Sequence, residues 1–265
     1  MRGGERLFVK SLPAASSAAL QAEADGLRAL AATHTVAVPA VVDAWTDDAQ
    51  GLAVLAMAWL DLGSPDAGFG ERLGEALGAL HAADIAEAHG RFGWRRDNFV
   101  GSTPQCNTWS GDGGLAGWIA FFGERRLVAL SERLGGSHAG LARALEAVTA
   151  RLADFFDDGH VPRPSLIHGD LWSGNWGQQA GGTPVIYDPA VSCSDAEAEL
   201  AMMSLFGGPP AGFWPAYLAC TGRPAPPERR LRLYQLYHLA NHALLFGGGY
   251  VRQSLLLAQS LLRPA

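Results

Sequence analysis

The chain has 265 residues, 48% of them hydrophobic and 17% charged, with a mean hydropathy of +0.06; that composition supplies a full-sized core for one large or two small domains and excludes intrinsic disorder. The formal charge is −6, from 20 basic and 26 acidic residues, and the arginines are spread along the chain, so no electrostatic footprint for nucleic acid is present. Three cysteines without CxxC spacing argue against a disulfide framework or a zinc cluster, and neither residues 1–6 nor the longest apolar run, residues 52–60, reads as a leader or a membrane span, which together predict a soluble protein of the reducing cytoplasm.

Of the 20 basic residues, 19 are Arg and one is Lys, Lys10. Exposed basic positions tolerate either residue. The exception points to a tight site that takes a compact ammonium and not a planar fork. Residues 6–10 read as a strand ending at Lys10, followed after Pro13 by a helix over about residues 16–32. In that helix Leu20, Glu23, Leu27 and Leu30 share one face, so a carboxylate sits on the apolar stripe and needs a partner. Strand-like runs at 36–44 and 51–60 flank the acidic turn from Asp47 to Gly51. Residues 1–62 thus form a small β-rich unit. After the Gly/Pro-rich stretch 63–68, helical periods dominate residues 63–265: Leu73, Leu77, Leu80 and His81 form one stripe, Leu141, Leu145, Val148, Leu152 and Phe155 another, and residues 230–246 and 250–262 give two more. Gly70, Gly74 and Gly78 allow close helix packing. One non-helical island, residues 165–188, holds two β-like pieces, 165–167 and 184–187.

Each β-like piece runs into polar residues: His168-Gly169-Asp170-Leu171-Trp172-Ser173-Gly174-Asn175 after the first and Asp188-Pro189-Ala190 after the second. With 8 His, 15 Asp and 4 Asn in the chain, H-x-D-x4-N is expected by chance only ~0.007 times. In kinase-type phosphoryl transfer an Asp so placed accepts the substrate hydroxyl proton, while the Asn and a later strand-end Asp hold Mg²⁺. A strand lysine on the α/β-phosphates, held by a glutamate of the next helix, completes that scheme, and Lys10 with Glu23 fits it. Taken singly, such Asp and Asn residues also cap loops, and a Lys-Glu pair can be purely structural.

On these residues the sequence resembles the fructosamine/ketosamine-3-kinases, within the protein-kinase-like superfamily that also holds aminoglycoside phosphotransferases and choline kinases. The resemblance is carried by residues 168–175, 92–93, 97–105, 121–127, 188–191, 200–202, 205–208, 233–238 and 246–250 together with Asn107, Asn241 and His242, and covers nearly all of the chain from Arg6. It implies an α+β, protein-kinase-like fold of two lobes, a small β-rich N-lobe at residues 1–62 and a mainly helical C-lobe at 63–265. It also implies transfer of the ATP γ-phosphoryl group to a sugar hydroxyl of a ketosamine, a glycated amine or protein, in deglycation. By the same resemblance Asp170 orients the hydroxyl, Asn175 and Asp188 bind Mg²⁺, Lys10 and Glu23 place the phosphates, and Met57, Ala58, Trp59 and Leu60 form the hinge that reads adenine. His168, Trp172, Gln105 and His238 are the substrate-side candidates, Trp172 either packing on the sugar ring or filling core. His238 and His242 also have the i, i+4 spacing of a zinc pair, without an HExxH motif or a third ligand in view.

The sequence departs from that family in three places. A glycine-rich hairpin precedes the lysine strand in kinases, whereas nine residues precede Lys10 here and Gly3-Gly4 resembles only its last turn, so the expectation is an N-lobe lacking the hairpin, through a late start or a truncation. Ala58 stands where relatives often carry Glu. Ala196 and Glu199 replace an Arg and an Asp, the second at a position that braces the catalytic loop. Two other readings stay open: a kinase of the same fold acting on an aminoglycoside or amino alcohol, and a non-catalytic kinase-like protein.

Overall fold

A computed structural model describes residues 6–263; the Gly3-Gly4 turn expected from the sequence lies outside them. In chain order the elements are β1 (Leu7–Pro13), α1 (Ser17–Ala32), β2 (Val41–Asp47), β3 (Leu52–Ala58), β4 (Leu62–Gly63), α2 (Phe69–Ala82), β5 (Asn98–Val100), β6 (Thr103–Gln105), α3 (Gly114–Phe122), a π-helical stretch (Gly123–Val128), α4 (Ala129–Leu134), α5 (Ala139–Thr149), β7 (Ser165–Ile167), β8 (Trp176–Gln179), β9 (Pro184–Ile186), β10 (Ser192–Ser194), α6 (Ala196–Leu205), α7 (Phe213–Thr221), α8 (Glu228–Phe246) and α9 (Gly249–Leu261). The chain forms two compact units. The first comprises residues up to Asp84 with His168–Val191 and Phe206–Pro224; the second comprises Ile85–Ile167, Ser192–Leu205 and the chain from Ala225 on.

In the first unit β1, β3 and β2 form an antiparallel sheet in that order, with Lys10 opposite Leu55 and Phe8 opposite Met57. Alternation places Ala53, Leu55 and Met57 on one face, where they pack with Leu20, Ala24 and Leu27 of α1. A buried leucine in such a contact contributes ~1.5–3 kcal/mol, which is what fixes α1 to the sheet. The strand expected at 36–44 begins only at Val41, because Pro39 has no N–H for a ladder and restrains Val38 before it. Ala37 instead makes a parallel bridge to Val185, its carbonyl accepting from Ile186 N at 3.0 Å. A second three-stranded sheet has the order β4, β8, β9. Packed elsewhere in this unit, α2 and α7 approach closely at the small residues: a Cβ on Gly74 would stand 3.0 Å from Tyr217 N and one on Gly78 2.8 Å from Cys220 Sγ.

The second unit is mainly helical, its core built on Phe92, Trp118, Phe122, Leu127, Leu145, Leu152, Leu233 and Tyr234. The apolar stripe from Leu141 to Phe155 is broken after Thr149, and residues 152–155 form a separate 3₁₀ turn that packs into the same cluster. Two short antiparallel pairs, β5 with β6 and β7 with β10, complete this unit. Cys106, Cys193 and Cys220 are free thiols, and burial pushes Cys193 up to about 12. Among the described residues no helix is long and apolar enough to cross a membrane.

Candidate active site

The loop with the candidate catalytic residue Asp170 follows β7. His168 is fully buried: its Nε2 donates to Tyr187 O at 2.8 Å and its Nδ1 accepts from Asp170 N at 3.3 Å. Those two bonds define a neutral tautomer with the proton on Nε2. His168 O in turn accepts from Ala190 N at 2.8 Å. Gly169 adopts φ +85, and a Cβ there would collide with Ala190 O. The segments 168–170 and 187–190 are therefore zipped together along their backbones, which sets Asp170 relative to Asp188.

The two metal candidates are joined by a hairpin. Asn175 directly precedes β8 and Asp188 follows β9 by one residue; β8 and β9 pair antiparallel, Trp176 opposite Ile186, through a turn containing Gly181 and Gly182, both at φ +90. Tyr187 N donates to Asn175 O at 3.0 Å, so at the open end of the hairpin Asn175 stands opposite Tyr187, the residue before Asp188. Neither β8 nor this turn was expected, although Gly-Gly between two short strand-like runs is the sequence signal for it. Asn175 is buried and its Nδ2 donates to Asp170 O at 2.7 Å, which identifies the other end of the amide as the oxygen. Asp188 turns in the left-handed region at φ +62, which Asp tolerates better than most residues, and its carboxylate is half exposed.

Lys10 Nζ donates to Glu23 Oε1 at 2.8 Å and to Asp188 Oδ1 at 2.5 Å. Burial works against the ammonium, but Glu23 and Asp188 outweigh it and hold Lys10 above its ordinary value. Glu23 is also raised, first by burial and then by the Asp188 charge, with Lys10 offsetting only part. Two carboxylates on one cation account for the rise of Lys10, whereas burial is the main cause of the rise of Glu23. With Asp170 added, the site holds three carboxylates against one ammonium. The oxygens of Asn175 and Asp188 are the hard donors that Mg²⁺ takes, and a nucleotide polyanion meets this acidic set more favourably with a divalent cation than alone.

A cavity of about 430 Å³ is lined by Met57, Ala58, Trp59 and Leu60 together with Phe8, Tyr187 and Asp188. It spans from residues 57–60 to the lysine-bound carboxylate, and its volume lies in the range of small-ligand sites. Ala58 N donates to Ala40 O at 2.8 Å and Trp59 N to Arg6 O at 3.3 Å, whereas Leu60 N has no partner among the described residues. The Trp59 indole donates to Asp61 at 3.0 Å, and Arg6 lies over the ring, 5.3 Å from its centroid. Phe8, Pro39 and Tyr187 in this lining carried no sequence signal of their own, since they enter from separate elements.

The substrate-side candidates fall in different surroundings. Trp172 is 40% exposed, edge-on to Phe206 with centroids 6.4 Å apart, so it is not core filler. Gln105 and His238 lie in the second unit. Gln105 is buried, its Nε2 donating to Asn98 Oδ1 at 2.8 Å and its Oε1 accepting from Tyr237 OH at 2.7 Å. His238 is buried and held neutral, lowered to about 3 first by burial and then by His242. His242 spends its Nδ1 on His238 O at 2.8 Å, so the i, i+4 pair does not converge as zinc ligands. Glu199 is buried on α6.

The sequence model of the fructosamine kinase family matches residues 1–263. A probable ketoamine kinase of Synechocystis sp. (strain PCC 6803) is 40% identical over 266 residues, covering 98% of this chain and 84% of the relative. A solved chain from Haemophilus somnus 129PT, proposed to be a fructosamine-3-kinase, has a TM-score of 0.84 at 25% identity over 98% of this chain and 85% of that one. A choline kinase of Streptococcus pneumoniae, 14% identical with a TM-score of 0.59 over 99% of this chain and 87% of that one, shares the protein-kinase-like fold. The likeness runs through both units, and the chain belongs to the fructosamine kinase family.

Proposed function

We propose that the protein transfers the γ-phosphoryl group of ATP to a sugar hydroxyl of a ketosamine, with a glycated amine or protein as acceptor, in the cytoplasm. The observation that carries this reading is that Asp188 bonds to Lys10 and follows directly on Tyr187, which the hairpin end pairs with Asn175. Asp170 aims the acceptor hydroxyl and takes its proton as the oxygen bonds to phosphorus and ADP leaves. Lys10, held by Glu23, binds the phosphates as a point charge. Asn175 and Asp188 hold Mg²⁺, which when bound neutralises the phosphate oxygens. The hinge from Met57 to Leu60 borders adenine, with Leu60 N–H as the donor to the base.

On the acceptor side Trp172, exposed and next but one to Asp170, offers a ring face to the sugar. His168 supports the reaction through the loop, since both its ring nitrogens are committed to backbone. Gln105 and His238, expected on the acceptor side, are buried within the second unit, Gln105 fixed at both ends of its amide. The three free thiols fit a reducing compartment.

The test is ATP turnover with and without fructosyl-lysine in the wild type and in Asp170→Ala. Stimulation by fructosyl-lysine is expected, and the substitution should lower kcat by ~10²–10⁴ while leaving ATP affinity unchanged. Turnover stimulated by an aminoglycoside and not by fructosyl-lysine sinks the acceptor assignment.

A further inference from the structure

Both catalytic segments leave the same small ladder. β7 runs into His168, and the segment from Asp188 to Val191 runs into β10, so the register of β7 on β10, Ser165 opposite Ser194 and Ile167 opposite Ser192, sets where both segments begin. At the other end of this ladder, beyond Ser165 and Ser194, His160 Nε2 donates to Asp195 Oδ2 at 2.9 Å. The fructosamine kinase reading gives this histidine no role.

His160 sits in a dense set of charges. Asp195 is fully buried; its Oδ2 also accepts from Tyr234 OH at 2.7 Å, and its Oδ1 accepts from Glu197 N at 3.3 Å. Tyr234 OH accepts from Trp118 Nε1 at 2.9 Å. The other ring nitrogen of His160, Nδ1, lies 3.4 Å from Glu197 Oε1. Glu197 is gripped by Arg230 through Nε at 2.6 Å and Nη2 at 3.1 Å, and Arg230 also donates to both oxygens of Asp158 at 2.8 Å. The groups facing His160 are thus Asp195 and Glu197 from α6 and its approach, Arg230 and Tyr234 from α8, and Asp158 from its own loop, with Phe156 stacked at 6.2 Å.

Each ring nitrogen faces a carboxylate. A neutral imidazole would turn a lone pair toward one of them, and only the imidazolium donates to both. Burial opposes that charge, but the bond to Asp195 and the charges of Asp195 and Glu197 outweigh it and raise His160 above its ordinary value. His160, Asp195 and Glu197 stand close enough to ligate one ion. These oxygens are already engaged: both Glu197 oxygens accept from Arg230, and Asp195 Oδ2 accepts from His160 and Tyr234.

We propose that His160 is a positioning residue, an imidazolium that clamps Asp195 and Glu197 at the distal end of the β7/β10 ladder and so fixes the strands from which the Asp170 and Asp188 segments start. A group raised in the folded state contributes in full below its unfolded value, ~6.5 for histidine, and that contribution is lost as pH rises through the folded value. Turnover therefore falls on the alkaline side as His160 loses its proton. The inference rests on the catalytic reading of Asp170 and Asp188.

The experiment uses the full chain with Mg-ATP and fructosyl-lysine. It measures kcat and KM from pH 6 to 9.5 in the wild type and in His160→Gln, which keeps a donor but cannot titrate. It adds the His160 ring titration by NMR and the thermal midpoint across the same pH range. Expected are a ring midpoint above ~6.5, a roughly tenfold fall in wild-type kcat with that same midpoint and KM for ATP within about twofold, and no such limb in His160→Gln. An alkaline limb that survives in His160→Gln overturns the proposal, as does a ring midpoint at or below the free value. Should the variant not fold, a wild-type thermal midpoint that stays flat through the ring titration overturns it as well. Zinc that raises the thermal midpoint of the wild type shows a metal site and also overturns it. No phosphoryl transfer at any pH would instead sink the catalytic reading, while the ring titration and thermal midpoints still report on the clamp.

Discussion

Lys10 holds two carboxylates on one nitrogen, Glu23 at 2.8 Å and Asp188 at 2.5 Å. A guanidinium presents a wide planar fork and cannot bring one nitrogen to both acceptors in that space. Lys10→Arg should keep the charge yet lower kcat/KM for ATP ten- to a hundredfold, ~1.4 to ~2.8 kcal/mol, as read in initial rates at varied ATP. An unchanged kcat/KM would place Lys10 outside the phosphate site. Because Lys10 is raised in the fold, its contribution is complete below ~10.4 and is lost only as pH climbs through the folded value, so it gives no limb between pH 6 and 9. The Lys10-Glu23 pair was legible in the sequence, since a strand lysine and a carboxylate on an apolar helix face both ask for a partner, although the strand expected to end at Lys10 runs on to Pro13. The contact of Lys10 with Asp188 was not, because 178 positions separate them and no local period links such residues.

At the scale of elements, the hairpin of β8 and β9 turns two distant sequence positions into one open end, and the backbone zipper between 168–170 and 187–190 carries the aspartate across. Gly169 is the tightest point of that zipper, at φ +85 with Ala190 O where a Cβ would go. Gly169→Ala should therefore displace the loop: kcat is expected to fall at least tenfold, with stability lowered by ~1–3 kcal/mol in chemical denaturation. Wild-type kcat in that variant would show that the loop tolerates a shift at Ala190. Strand positions were readable where apolar alternation is clean, as in Leu52–Ala58, and misread where proline intervenes, as at Pro39 before Val41. The Gly70, Gly74 and Gly78 repeat was readable as close packing, but its partner α7 was not, since small residues name a distance and not a neighbour.

On the scale of the molecule, each compact unit is assembled from three separate stretches of chain. The first takes Lys10 and Glu23 from one stretch and Asp170, Asn175 and Asp188 from another, so on the proposed roles of these residues nucleotide binding is linked to folding of that unit. Mg-ATP at a hundredfold over its Kd should stabilise the protein by ~2.7 kcal/mol, seen as a rise in Tm, and a chelator should remove most of that rise. A Tm rise from ATP that is indifferent to chelation would sink the assignment of Asn175 and Asp188 to the metal.

Residue types pointed to the chemistry: the lone lysine, a carboxylate on an apolar helix face and the His168-to-Asn175 motif read as a phosphotransferase set, because each residue type answers a charge it must meet. The sequence by itself also determined the helices and strands with clean periods, since burial of one face is a local pattern. Which of these charges meet is set by the fold. The sharing of Lys10 by Glu23 and Asp188, the hairpin end of Asn175 and Asp188, and the cluster around His160 all depend on pairings between strands and helices remote in sequence. Such pairings are selected by the packing of the whole unit and leave no local trace in the chain.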